Sequence, residues 1–125
     1  MTTGSADPRP PDALGAPAGD RLTIEVVNPG ALLRLAGRLD ARSVAFTRAT
    51  LHEAVDSADG ELVIEMTGLE IWDGAGLGVL VGTGRRARQA GRQLVLTGVR
   101  ARELRLLRVA RVTWISSVRP AALVC

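Results

Sequence analysis

The chain is poor in the residues that most chemistry needs. It has one cysteine, one histidine, no lysine and no tyrosine in 125 residues. The cysteine, Cys125, has no second thiol to pair with, so no intrachain disulfide can form, and the cytoplasm is the expected compartment. One histidine and one thiol cannot assemble a zinc cluster. His52 lies in a helix-like run beside Glu53 and reads as a surface histidine. Cys125 has no base placed beside it to activate it. No catalytic residue, metal or cofactor is therefore expected. All 16 basic residues are arginine, which reads as a coding bias. It still excludes a Schiff-base lysine and a phosphate loop of the G-x-x-x-x-G-K-[ST] form.

Aromatic residues make up only 2% of the chain. A core must therefore come from Leu, Val, Ile and Ala, and stacking platforms for nucleic acid are missing, so no direct nucleic-acid partner is expected. No apolar run approaches the ~20 residues of a membrane helix, and no secretory signal pattern is seen, so no membrane insertion is expected.

What is present fits one soluble domain: 46% hydrophobic and 23% charged residues over a domain-sized length. Residues 1–20 carry Pro8, Pro10, Pro11, Pro17 and three glycines, and read as a disordered N-terminal tail. Residues 21–125 are expected to form the domain. Charge is uneven. Residues 1–84 carry −6 and residues 85–125 carry +9, within a net +3, and Glu103 is the one acid of the second part. The basic third reads as a solvated face.

Leu22–Val26 alternates apolar and polar residues as a strand does. Asn28-Pro29-Gly30 is a turn signal, and Ala31–Ala36 reads as the returning strand. A helix follows, with Val44, Thr47, Leu51, Ala54 and Val55 on one face and Asp40 or Ser43 as its N-cap. Glu61–Met66 is a central strand, and Thr67–Trp72 extends it. The next helix places Leu77, Leu80, Val81, Gly84 and Ala87 inward, puts Arg85, Arg88 and Arg92 on an outer face, and is ended by Gly91. Arg92–Thr97 is a fourth strand. Arg102–Arg108 is a third helix with Leu104 and Leu107 inward. Val112–Ile115 reads as a short strand, and Ser117–Val124 as a last helical turn or two. Strands alternating with helices predict an α/β fold with a mostly parallel sheet.

The most informative stretch is Ile71-Trp72-Asp73-Gly74-Ala75-Gly76-Leu77-Gly78, between the central strand and the second helix. Its glycines allow a sharp turn and close approach. The helix start that follows offers free N–H groups. The octet contains no nucleophile. Asp73 reads as the helix cap, and Trp72 as a residue whose exposed part would make a docking contact. Gly82-Thr83-Gly84-Arg85-Arg86-Ala87 fits a dinucleotide pattern, with Glu103 about 20 residues on. The match falls inside the helix rather than at its start, so it reads as close packing.

The element order and two motifs resemble the STAS domain of anti-sigma factor antagonists. Leu35-Ala36-Gly37-Arg38-Leu39-Asp40-Ala41 is similar to that family's L-x-G-x-L-D turn. Gly68-Leu69-Glu70-Ile71-Trp72-Asp73-Gly74-Ala75-Gly76-Leu77-Gly78-Val79-Leu80, which contains the octet, is similar to its L-x-x-[FIV]-x-D-S-S-G-L-G-x-L signature. The resemblance implies a four- to five-stranded mixed sheet, mostly parallel, with helices on one face. It also implies a non-enzymatic regulatory module that binds a kinase-type anti-sigma factor. The partner surface would comprise Asp40, Trp72, Asp73, Gly74, Ala75, Gly76, Leu77 and Gly78. In the family the second serine of the signature accepts a phosphate. Ala75 stands there in this chain and Gly74 stands at the first serine, so the usual switch is not expected. The alternatives are a STAS subunit of a lipid-transport ABC complex, some of which carry D-[ST]-A-G-L, and a small-molecule or nucleotide-binding STAS sensor. A monomer or weak homodimer is expected.

Overall fold

The computed structural model describes residues 21–110 and 117–120. The tail expected at 1–20, the strand expected at Val112–Ile115 and Cys125 lie outside them. Five strands and three helices follow one another: β1 (Thr23–Asn28), β2 (Leu32–Leu39), α1 (Val44–Asp56), β3 (Glu61–Ile71), α2 (Gly74–Gln89), β4 (Gln93–Val99), α3 (Ala101–Val109) and β5 (Ser117–Pro120). The strands form one sheet in chain order, β1-β2-β3-β4-β5. The first pair is antiparallel and the other three are parallel. Each parallel step moves one strand in the same direction. Right-handed crossovers then place all three helices on the same face.

The hairpin forms as the turn chemistry predicts: Gly30 takes φ +71°, and the Ala31 N–H donates to the Asn28 carbonyl at 2.9 Å. Alternate residues of β2, β3 and β4 point to the helix side. Leu33, Leu35 and Leu39 of β2, and Leu62, Ile64 and Met66 of β3, are buried. Leu94 and Leu96 of β4, Leu51 of α1, Leu80 of α2 and Leu107 of α3 join them. On the opposite face Arg34 sits between Glu25 at 2.8 Å and Glu65 at 3.8 Å across three strands. The alternation of β3 changes phase after Met66. Thr67 and Gly68 are both exposed, the pairing with β2 slips, and Leu69 and Ile71 then face the core. Such an irregularity re-aims the residues that follow it, here the approach to the octet.

Three expectations need correction. Ser117–Pro120 is a strand, not a helical turn, because the free edge of β4 pairs with it through Val95–Ser117 and Leu96–Val118. Pro120 closes that strand on the sheet edge, where a missing N–H is tolerated. The inward face of α2 is Gly76, Val79, Leu80, Thr83, Gly84 and Ala87, and Leu77 and Val81 are only half-buried. The N-cap of α1 is Ser43, one of the two residues expected there, and its hydroxyl engages the preceding turn rather than a helix N–H.

Arg92 is the third. It is 5% exposed, not on an outer face. Gly91, with φ +74°, ends α2 as expected, and the Arg92 N–H closes the cap onto the Ala87 carbonyl at 2.8 Å. That turn directs the guanidinium inward. Its Nη1 donates to the Ala54 and Val55 carbonyls at 2.8 and 3.1 Å, its Nε to Gly60 O at 3.0 Å and its Nη2 to Gly30 O at 2.5 Å. α1 has no basic residue in its own last turn, so Arg92 supplies the charge its C-terminal carbonyls favour.

Candidate functional site

β3 delivers the octet to the edge of the core. The Trp72 N–H donates to the Leu39 carbonyl at 2.9 Å, which ties the ends of β2 and β3 together. Asp73 is extended at φ −152° and ψ 177° and caps α2. Its Oδ1 accepts the Gly76 N–H at 2.9 Å, and its Oδ2 accepts the Ala41 N–H at 3.0 Å. One carboxylate therefore joins the two motifs found in the sequence. The Gly76 N–H first, and the Ala41 N–H next, hold its pKa below the ordinary carboxylate value.

The glycines of the octet divide into two kinds. A Cβ on Gly76 would stand 2.5 Å from the Leu39 carbonyl oxygen, so this glycine lets α2 touch β2. A Cβ on Gly74 or Gly78 would meet nothing within 4 Å. Gly74, Ala75 and Gly78 are exposed, and Leu77 is half-buried. The octet thus presents an open, small-residue ridge at the start of α2.

Trp72 is 51% exposed. The Arg38 guanidinium lies over its ring, 3.8 Å from the centroid, and the indole N–H donates to Glu70 Oε1 at 3.3 Å. Beneath it α3 grips Ile71 from both sides of its backbone. Glu103 Oε2 accepts the Ile71 N–H at 3.2 Å, Arg102 Nη1 donates to the Ile71 carbonyl at 2.7 Å, and the two side chains pair at 2.9 Å. Asp40 sits in the neighbouring loop, where its Oδ1 accepts the Arg42 N–H at 3.0 Å and its own N–H donates to Ser43 Oγ at 3.1 Å. The expected surface residues are thus gathered in one place, with Asp40 linked to the rest through Ala41 and Asp73.

The arrangement offers hydrogen-bond donors and apolar contact, and the octet holds no reactive group. Among the described residues no group of three His, Cys, Asp or Glu side chains could hold a metal ion. No described helix is long and apolar enough to cross a membrane. His52 lies on α1, away from the octet. Partial burial, then Arg86 and Arg48, lower its pKa. Gly82-Thr83-Gly84 lies within α2 rather than at its start; Thr83 and Gly84 are buried, with the Thr83 hydroxyl on the Val79 carbonyl at 2.8 Å, and Gly82 is half-buried.

A family model described as "Mlab, STAS domain" matches residues 22–117. The chain belongs to this STAS family. Among solved structures, the STAS protein is similar to the anti-sigma factor antagonist SpoIIAA in its unphosphorylated form. The TM-score is 0.62 at 19% identity, covering 82% of this chain and 90% of that one. The Bacillus cell fate determinant SpoIIAA in its phosphorylated form gives 0.60 at 20% identity, covering 78% and 90%. An anti-sigma-factor antagonist (STAS) domain protein from Planctomyces limnophilus gives 0.58 at 16% identity, covering 82% and 90%. At these identities the likeness shows the fold. No curated protein matches the chain.

Sequence reasoning missed three contributors to the site. Glu103 appeared as the lone acid of the basic third and in a discarded nucleotide pattern, not as part of the site. Its signal was its solitude, one acid in an arginine-rich third of the chain. Arg38, inside the first motif, and Phe46, 58% exposed on α1, carried no sequence signal of their own.

Proposed function

We propose that this STAS protein is a regulatory binding module without catalysis of its own. It docks a kinase-type anti-sigma factor, in the cytoplasm, through the Asp73–Gly78 turn and the exposed face of α2. The observation that carries this reading is the double hydrogen bond of Asp73 to Ala41 and Gly76. It fixes both motif loops, so the ridge of Gly74, Ala75 and Gly78 is already in place before a partner arrives, and binding loses less entropy. Ala75 carries no hydroxyl, so phosphorylation at that position cannot switch the contact. The test is incubation with the kinase-type anti-sigma factor of the same host, with and without ATP. Binding is expected, with no mass change in residues 72–78 and no loss of affinity. Absence of binding would overturn the docking reading. A fall in affinity after ATP would overturn the unswitched version.

A second reading is a STAS subunit of a lipid-transport ABC complex. Ala75 favours it, because some of those subunits carry alanine there, and Gly74 counts against it. Co-purification with a membrane ATPase, rather than with a soluble kinase-type protein, would select it.

A further inference from the structure

The chain has three aromatic residues, Phe46, Trp72 and Trp114, and the core is built without the first two. Phe46 is 58% exposed and Trp72 51%. Burying side chains of this size favours folding, so leaving both outside invites an explanation. Phe46 borders a cleft that Trp72 does not line. The cleft has a volume of about 700 Å³, lies beside the octet, and is lined by Phe46, Arg21, Arg38, Arg42 and Asp40 among others. Arg38 belongs to both features, lining the cleft while it lies over the Trp72 ring at 3.8 Å.

The charge of this cleft runs against its surroundings. Residues 1–84 carry a net −6, yet half of their six arginines line this one depression. Asp40, the one acid among the lining residues, has its carboxylate engaged by the Arg42 N–H at 3.0 Å and the Arg42 guanidinium at 3.9 Å. The cleft is open to solvent and lined mainly by polar surface. Small-molecule sites are more enclosed and more apolar. Exposed aromatic rings among arginines are instead the composition of protein-interface anchors.

We propose that the cleft receives an acidic segment of the partner protein that also carries an apolar side chain. Its carboxylates meet Arg21, Arg38 and Arg42, and its apolar group packs against Phe46. This deepens the docking reading above and rests on it, extending the interface across β2 onto the start of α1.

The test uses two probes. The first is a fluorescein-labelled peptide alternating Glu and Leu, with its Gln and Leu counterpart as control. The second is the kinase-type anti-sigma factor. The Glu peptide is expected to bind the full chain and shift the backbone amide signals of residues 38–46, and the Gln peptide is not. Arg21→Glu and Arg42→Glu, both on exposed side chains, should each weaken the Glu peptide by roughly tenfold and flatten its salt dependence, with unfolding curves unchanged. Phe46→Ser should weaken both probes. No peptide binding, or binding that survives the double reversal, overturns the proposal. So does displacement by inorganic phosphate at equal concentration, which would make the cleft a small-anion site. Gly78→Arg, on the open ridge, separates the two readings. If it abolishes anti-sigma binding and the arginine reversals do not weaken it, the octet docks the partner and the cleft inference fails alone. If the arginine reversals weaken it and Gly78→Arg does not, the octet reading fails alone.

Discussion

The carboxylate of Asp73 accepts the backbone N–H of Ala41 at 3.0 Å, across 32 residues of sequence. A capping residue needs only the bond to its own helix, which Asp73 makes to Gly76 at 2.9 Å. The second bond makes it a tie between the loop after β2 and the start of α2. Asp73→Ala is expected to raise the amide exchange rates of Ala41 and Gly76 together, while amides in β3 and β4 keep their protection. A rise at Gly76 alone would mean that the Ala41 bond contributes nothing.

The same tie sets a pH dependence. Both N–H groups bond the anion and hold the Asp73 pKa below its ordinary value. A carboxylate depressed in the folded state adds stability above its unfolded value and loses that contribution as pH falls through the folded one. Protection of the Ala41 amide should therefore persist through the range in which ordinary carboxylates titrate and fall only below it. Asp73→Asn, which does not titrate, should remove that fall. Exchange measured along an acid series in both proteins checks the sign.

The fold was legible because its signals are local. Alternation in Leu22–Val26, the Asn28-Pro29-Gly30 turn and the 3-to-4 spacing of Leu51, Ala54 and Val55 each act within a few residues. Arg92 was misplaced because helix periodicity was continued past Gly91. The φ of +74° at that glycine swings the following side chain away from the helix surface and into the core. The last strand was misread because Ser117–Pro120 takes its conformation from β4, a partner distant in sequence. The octet and its capping aspartate were visible. Its supports from Ala41, Arg38 and Glu103 are tertiary contacts that no spacing encodes.

Gly76 and Gly78 should respond oppositely to alanine. A Cβ at Gly76 would stand 2.5 Å from a backbone oxygen that can move only with β2. At Gly78 it would meet nothing within 4 Å. Gly78→Ala is expected to stabilise the protein by roughly 0.5–1 kcal/mol through the helix preference of alanine. Gly76→Ala should destabilise it by more than that. Urea unfolding of the two variants decides, and equal effects would show that the close approach of α2 to Leu39 does not constrain the fold.

Ala75→Ser places a hydroxyl on an exposed position of the first turn of α2. With a cognate kinase and ATP, the variant should gain one phosphate at residue 75, and the natural chain should gain none there. The phosphate adds roughly −1.5 to −2 charges at the proposed docking surface. Affinity of the phosphorylated variant for the same partner should then fall, and native mass spectrometry would report both changes.

Arg92 is the costliest side chain to remove. Its guanidinium serves carbonyls from the β1–β2 turn, the end of α1 and the α1–β3 loop. Arg92→Met fills much of the volume but leaves those oxygens without donors, at about 1–3 kcal/mol for each one that water cannot reach. Arg92→Lys keeps the charge but cannot reproduce the planar fork, so it should recover only part of the loss. Near-native stability of Arg92→Met in chemical unfolding would mean that water replaces the guanidinium.

Glu103 links the stability of the domain to the position of the octet. It is 2% exposed and accepts the N–H of Ile71, the last residue of β3, while Arg102 donates to the carbonyl of the same residue. Glu103→Leu would strand that N–H and cost on the order of 1–3 kcal/mol. Glu103→Gln keeps an acceptor oxygen and should cost less. If α3 serves only to cover the core, the two variants should differ in unfolding midpoint and bind the partner alike once folded. If the grip on Ile71 sets where Trp72 and Asp73 stand, folded Glu103→Leu should bind more weakly, and its amide signals should shift from Ile71 through Gly76. The second outcome is expected, because those residues follow Ile71 without an intervening turn and owe their place to the end of β3.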